Sequence, residues 1–187
     1  MKRSVLILIC IILPFLLIGE LRFYKEDLHF TLTDSTFSVD GLYFLHNSSE
    51  QTYHQRLFYP FPQDSLYGKV NNVFCESISR SDSSSVIHWN QNGAHLMVII
   101  PAQDTTIARI VYEQKLNGNK AEYILETTIF WEKGFEQAYY DLTFPKTITI
   151  DSLSYLPDEL VETETFYKLI WKKKDFLPLK NFIVKFK

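Results

Sequence analysis

Glycine occurs only six times in 187 residues, and never twice in a row. That excludes a glycine-rich loop whose backbone amides could cradle a phosphate. Alanine is as scarce, at positions 94, 102, 108, 121 and 138. No window sustains an apolar repeat of 3.6 residues, so a helical bundle is excluded as well. Cysteine appears twice, as Cys10 and Cys75. Cys10 falls in the leading apolar run, and one remaining thiol cannot close an intramolecular disulfide, so stability must come from packing.

Basic charge is also short, with 19 Lys and Arg against 22 Asp and Glu. Two of the basic residues, Lys2 and Arg3, precede the apolar run, so the remainder stands near −5. Nucleic acid is thereby disfavoured as a partner, because it needs a basic footprint. None of the five histidines forms H-E-x-x-H, His-x-His or a Cys/His cluster of metal spacing. His46 and His54 flank one turn with Glu50 near, which is two ligands without a clear third. G-x-S-x-G is missing, and Glu76 beside Cys75 would raise the thiol pKa rather than activate it. The expectation is therefore no catalytic residue, no metal and no cofactor.

What the chain does have begins at residues 5–18, VLILICIILPFLLI, a run without charge directly behind Lys2 and Arg3. As a helix it would span roughly 21 Å, short of the ~30 Å hydrocarbon core. A positive start, an apolar run of this length and the small Gly19 describe a secretory signal peptide cut after Gly19. Nothing like Ala-x-Ala stands there, however. The alternative is an uncleaved anchor through residues 4–19, with Leu21, Phe23 and Tyr24 at the interface. Leu8 and Ile9 before Cys10 argue against lipid attachment. Both alternatives export the rest, to the cell envelope or beyond it. The expected organisation is residues 1–19 as signal peptide or anchor, 20–25 as a short linker, and 26–187 as one domain.

That domain is rich in aromatics, with 15 Phe and 11 Tyr, and such residues favour strands. Alternation predicts strands over 27–33, 37–45, 52–59, 70–74, 86–89 and 95–100, with a turn at Asn90-Gln91-Asn92-Gly93 between the last two. A hairpin is expected over 106–131, its tight turn made by Asn117-Gly118 with two positive φ angles. Tyr123, Leu125, Thr127, Ile129 and Trp131 would line one face of the returning strand. Further strands are expected over 137–144, 147–155, 163–171 and 181–186, punctuated by prolines. Around ten short strands imply an all-β fold, an antiparallel β-sandwich of Ig-like architecture preceded by one N-terminal hydrophobic helix.

Several short motifs add a family resemblance. Tyr43-Phe44, Asn47-Ser48, Tyr59-Pro60-Phe61-Pro62, Tyr112-x-Gln114, Trp131 and Phe176-x-Pro178 together resemble uncharacterised bacterial envelope β-sandwich domains. The resemblance covers most of the exported chain; it implies a sandwich and carries no activity.

Two functions follow from this pattern. The first is a non-catalytic domain acting in protein binding or assembly at the cell envelope, against another envelope or membrane protein, through a sheet edge or apolar patch. The alternative is a glycan-binding or glycan-processing module, since glycosidases need two carboxylates beside stacking rings. Its candidates are Glu122 and Glu126 on one strand, Asp141 near them, and an exposed aromatic surface at Trp131 and Phe135. Lys172-Lys173-Lys174 is the one basic cluster, and Asn47-Ser48-Ser49 is a formal glycosylation sequon on an expected surface turn.

Overall fold

The computed structural model describes residues 21–79, 84–131 and 133–187, apart from the side chains at 84 and 129–131. The apolar run at 5–18, the helix expected there and the cut after Gly19 lie outside the described residues. Among the described residues no helix is long and apolar enough to cross a membrane.

The chain is almost entirely β over the described residues. Its strands are β1 (Leu21–Leu32), β2 (Thr36–Asn47), β3 (Tyr53–Pro60), β4 (Tyr67–Ser77), β5 (Ser84–Asn90), β6 (Gly93–Ile100), β7 (Asp104–Leu116), β8 (Lys120–Tyr123), β9 (Phe135–Pro145), β10 (Ile150–Leu153), β11 (Glu159–Glu162), β12 (Phe166–Phe176) and β13 (Phe182–Phe186), with a 3-10 helix over Glu126–Trp131. Seven form one sheet in the order β11-β12-β9-β1-β2-β7-β4; β10-β13-β8 and β3-β6-β5 form two smaller ones.

Strict alternation builds the large sheet. Leu28, Phe30 and Leu32 on β1 and Phe37, Val39, Tyr43 and Leu45 on β2 are all buried, as a period of two requires. The small sheets cover that face. Phe182 of β13 stacks on Phe30 at 4.6 Å between ring centroids and meets Trp171 edge-on at 4.9 Å. Phe61, just after β3, packs on Tyr112 of β7 at 4.8 Å. Each ring so buried contributes about 1.5–3 kcal/mol relative to exposure.

Several expectations are corrected. The sheet is not purely antiparallel, because β1 and β9 run parallel from Lys25↔Gln137 to Thr31↔Thr143; such a pair needs a long crossover, here most of the chain. The hairpin over 106–131 does not form. β7 has β2 on one edge and β4 on the other, which leaves no edge for β8, and β8 pairs with β13 instead. No described glycine has positive φ; Asn72, Gln103 and Asp175 do. The strand after Lys120 ends at Tyr123, where Asn181 Oδ1 accepts the backbone N–H groups of Leu125 and Glu126 and starts the 3-10 turn. Residues 21–25 are not linker but the start of β1, since Leu21 and Phe23 pack on the core. Finally, β11 was not anticipated.

The sequon is corrected too. Asn47 is fully buried. Its Nδ2 donates to the carbonyls of Gln51, Ile100 and Pro101, and its Oδ1 accepts from Ser49 N and Oγ. Its amide nitrogen is thus engaged inside the fold.

Candidate functional site

β1 presents Glu26, Leu28, Phe30 and Leu32 on one face, and that face is the core. Glu26 is 1% exposed. It stands opposite Tyr43 of β2 and Ala138 of β9, and Tyr140 of β9 donates its phenol proton to the carboxyl. Burial pushes the Glu26 pKa up to about 8; the Tyr140 hydrogen bond opposes this, and the charge of Asp27 adds to it. At neutral pH Glu26 is therefore mostly a neutral acid.

Beside it the core opens into a cavity of about 530 Å³ between β1, β2 and β7 beneath and β3, β6 and the end of β8 above. This is within the size range of small-molecule pockets. Leu45, Leu57, Leu96, Val98, Ala108 and Ile110 are among its apolar walls. Its polar lining includes Glu26 and three tyrosines whose hydroxyls meet. Tyr43 Oη lies 2.8 Å from Tyr59 Oη and 2.9 Å from Tyr123 Oη, and Tyr59 and Tyr123 also bond to each other. Burial holds all three phenols well above their ordinary pKa. Gly41 makes room for this arrangement, because a Cβ there would fall 2.5 Å from Tyr43 Oη and 2.8 Å from Leu28 Cδ2.

Of the five residues singled out from the sequence, the four whose side chains are described do not converge. Glu122 on β8 is a structural tie, accepting from Tyr67 Oη, from Asn181 Nδ2 at 2.7 Å and from Lys120 Nζ at 2.9 Å. Burial would raise its pKa, yet these donors carry it below the ordinary value. Glu126 is exposed at the start of the 3-10 helix, not one step along a strand from Glu122. Phe135 is fully buried, edge-on to Phe23 at 4.7 Å, because β9 turns it to the core rather than to solvent. The side chain of Trp131 lies outside the described residues. Asp141 belongs to the opposite face of the large sheet from the cavity. There His29 Nδ1 donates to Asp141 Oδ2 at 2.7 Å, with Lys168 Nζ at 3.5 Å. For Asp141 burial alone would raise the pKa, but the His29 hydrogen bond and the nearby positive charges bring it below the ordinary value.

The remaining chemistry is dispersed. Lys172 and Lys173 pair with Glu159 at 2.7 Å and Asp158 at 2.9 Å, so much of the basic cluster's charge is neutralised. His46 and His54 lie on strands of different sheets, and His46 bonds to Thr105. Among the described residues no three His, Cys, Asp or Glu side chains gather closely enough to hold a metal. Cys75 is buried, which pushes its thiol up to about 11, with Glu76 adding to the effect. The sequence offered one overlooked signal for Glu26: an acid standing in phase with Leu28, Phe30 and Leu32.

No known family's sequence profile matches the chain. No curated protein matches it. Solved structures do resemble it. A candidate nutrient-binding protein from Legionella pneumophila superposes with a TM-score of 0.63 at 12% identity, over 89% of this chain and 66% of that one. An M1 zinc metallopeptidase from Deinococcus radiodurans gives 0.52 at 12% identity, over 89% of this chain and 43% of its own length. A variant of that organism's M1 peptidase bound to a Tyr-Ser-Ala substrate gives 0.54 at 13% identity, over 88% of this chain and 42% of its own. This chain thus spans just under two thirds of the first and less than half of the peptidases, and what it shares with them is the fold.

Proposed function

We propose that this chain is a non-catalytic binding domain, a β-sandwich whose inter-sheet cavity receives a small and largely apolar ligand. The cavity carries the reading: it is a concave apolar space with a few convergent polar groups, the usual form of a ligand pocket. Among the described residues no histidine, lysine or cysteine lines it, so Glu26 has none of these three beside it to act as a base or an activated nucleophile. The likeness to a candidate nutrient-binding protein is in keeping with a binding role. The leading run at 5–18 supports a position outside the cytoplasm, secreted or anchored at the envelope. Titration with Nile red tests the pocket. Saturable, blue-shifted emission is expected, and it should be lost in Ala108→Leu or Leu96→Phe, which fill the space, while far-UV circular dichroism is retained. Absent binding, or binding unchanged in both folded variants, would overturn the reading.

A second reading has its own observation. β11 closes one end of the seven-stranded sheet with all four residues exposed, Leu160 at 60%. An open edge of this kind suits strand addition by an envelope or membrane protein. Cross-linking from native membranes should capture a partner that Leu160→Lys releases; capture unaffected by that change would remove the idea.

A further inference from the structure

We infer that the ligand of the inter-sheet cavity carries one cationic ammonium head on an apolar body, with the head seated against the Glu26 carboxyl and the surrounding aromatic rings. This rests on the cavity reading above and adds the chemical class of what enters it.

Three observations point the same way. First, the cavity's one formally ionisable carboxyl is Glu26, and no Lys, Arg or His stands among its described lining residues. A carboxylate or phosphate ligand would meet no counter-charge there, whereas a cation would. Second, the rings of Phe23, Tyr43, Tyr59 and Tyr123 share that lining and meet at steep angles, with Tyr43 and Tyr59 at 86° and 5.8 Å and Tyr59 and Tyr123 at 56° and 6.2 Å. Aromatic faces set at angles around an acid are the surroundings in which quaternary ammonium groups are recognised. Third, the three tyrosine hydroxyls bond to one another, so their protons are engaged with each other rather than turned to an anionic or carbonyl head.

The charge balance is explicit. Empty, the carboxyl is mostly protonated at neutral pH; on binding, its O–H breaks, the proton leaves to solvent, and carboxylate and ammonium form the ion pair. The groups facing Glu26 do not supply that pair themselves. Tyr43 of β2, Tyr123 of β8 and Tyr140 of β9, with Tyr59 of β3 bonded behind the first two, are all phenols that burial keeps protonated. β6 and β7 contribute Leu96, Val98, Ala108 and Ile110. Asp27, the neighbour on β1, is the nearby charge acting on Glu26, and it is negative.

The test is calorimetric titration of the full chain in lipid nanodiscs, blanked against empty nanodiscs, with octyltrimethylammonium, octanol and octanoate. The quaternary ammonium keeps its charge at every pH, so any titration belongs to the protein. Its affinity should rise by about tenfold per pH unit from pH 6 towards 8, because the binding-competent carboxylate fraction rises in that proportion. It should release close to one proton per molecule bound at pH 6.5. Glu26→Gln should remove both the pH dependence and at least tenfold of affinity at pH 9 while still binding octanol. If octanol or octanoate binds as tightly as the ammonium, or if ammonium binding is flat in pH and unmoved in Glu26→Gln, the head-group assignment is overturned and the cavity reading survives. If none of the three binds, the cavity reading falls and takes this inference with it.

Discussion

Tyr140 on β9 donates its phenol proton to Glu26 on β1, across a parallel pair of the large sheet. Among the influences on Glu26 this hydrogen bond works against burial, favouring the charged form. Tyr140→Phe should therefore move the Glu26 titration to still higher pH, and destabilise the fold by about 1–3 kcal/mol through the lost buried bond. Carbon-13 NMR of the labelled Glu side chains, followed from pH 5 to 10, reads the first effect, and urea denaturation reads the second. A Glu26 titration that stays in place or moves down would contradict the assignment.

Glu26 also sets a pH dependence of stability. Its folded pKa, about 8, lies above the ordinary 4.5, so the folded state holds this proton more tightly than the unfolded chain. The contribution is fully present below 4.5, declines as pH rises above that, and is gone beyond 8. The loss over that interval is on the order of a few kcal/mol. Glu26→Gln abolishes this one titration, so the variant should gain on the parent steadily from pH 5 to pH 9. Urea midpoints at pH 5, 7 and 9 measure it; parallel curves would count against a buried neutral acid.

Gly41 fixes where Tyr43 can lie. Any Cβ at 41 must displace the Tyr43 ring, whose Oη and Cε2 are 2.5 and 2.8 Å away, as well as Leu28. Gly41→Ala should cost about 1–3 kcal/mol as an overpacked core does. It should also break the Tyr43 bonds to Tyr59 and Tyr123, shifting the near-ultraviolet tyrosine bands. Gly68, a half-buried glycine of β4 away from the cavity, serves as the comparison, since Gly68→Ala should leave those bands alone.

How far the sequence reached depended on whether a feature was local. Alternation at Leu28, Phe30 and Leu32, and at Phe37, Val39, Tyr43 and Leu45, identified two core faces that the structure keeps. Asn117-Gly118 misled because a turn signal reports only a local preference, while β7 had both edges taken by β2 and β4. β11 escaped notice because Glu-Leu-Val-Glu is four exposed residues with no buried face to imprint a pattern. The site was the least legible. Glu122 and Asp141 read alike as candidate carboxylates, yet they are tied to different partners on different sheets. Glu26 falls just before the strand expected over 27–33, and the register with Tyr43 and Ala138 extends the inward-facing set of Leu28, Phe30 and Leu32 back to it.

On the outer face, His29 and Asp141 sit directly opposite each other on the parallel strands β1 and β9. The hydrogen bond from His29 to Asp141 raises the histidine pKa above 6.5, although partial burial opposes it. Its stabilising share is thus fully present below 6.5 and fades as pH climbs through the raised value. Asp141→Asn should bring the His29 titration back down, a shift visible in the imidazole proton resonances. A His29 pKa unchanged by Asp141→Asn would show that another group governs it.

Asn47 is buried outright and carries no titration. Its amide joins the end of β2 to the carbonyls of Gln51 before β3 and of Ile100 and Pro101 at the end of β6, with acceptors at 2.7, 3.1 and 2.9 Å. The side chain therefore stitches the large sheet to the sheet that roofs the cavity. Asn47→Ala would take a donor from the carbonyls of Ile100, which is buried, and of Pro101 and Gln51, which are part-buried, and a buried polar group left unpaired costs about 1–3 kcal/mol. The loss should be larger than that of Arg109→Ala, which breaks a half-exposed ion-pair ladder to Asp40 and Glu76 of the kind worth about 0–1 kcal/mol. Because the stitch lies at one end of β6, Asn47→Ala should also weaken Nile red binding. Thermal unfolding of the two variants side by side, with the dye titration on each, checks the order; equal losses would mean that the Asn47 network is not what holds the two sheets in register.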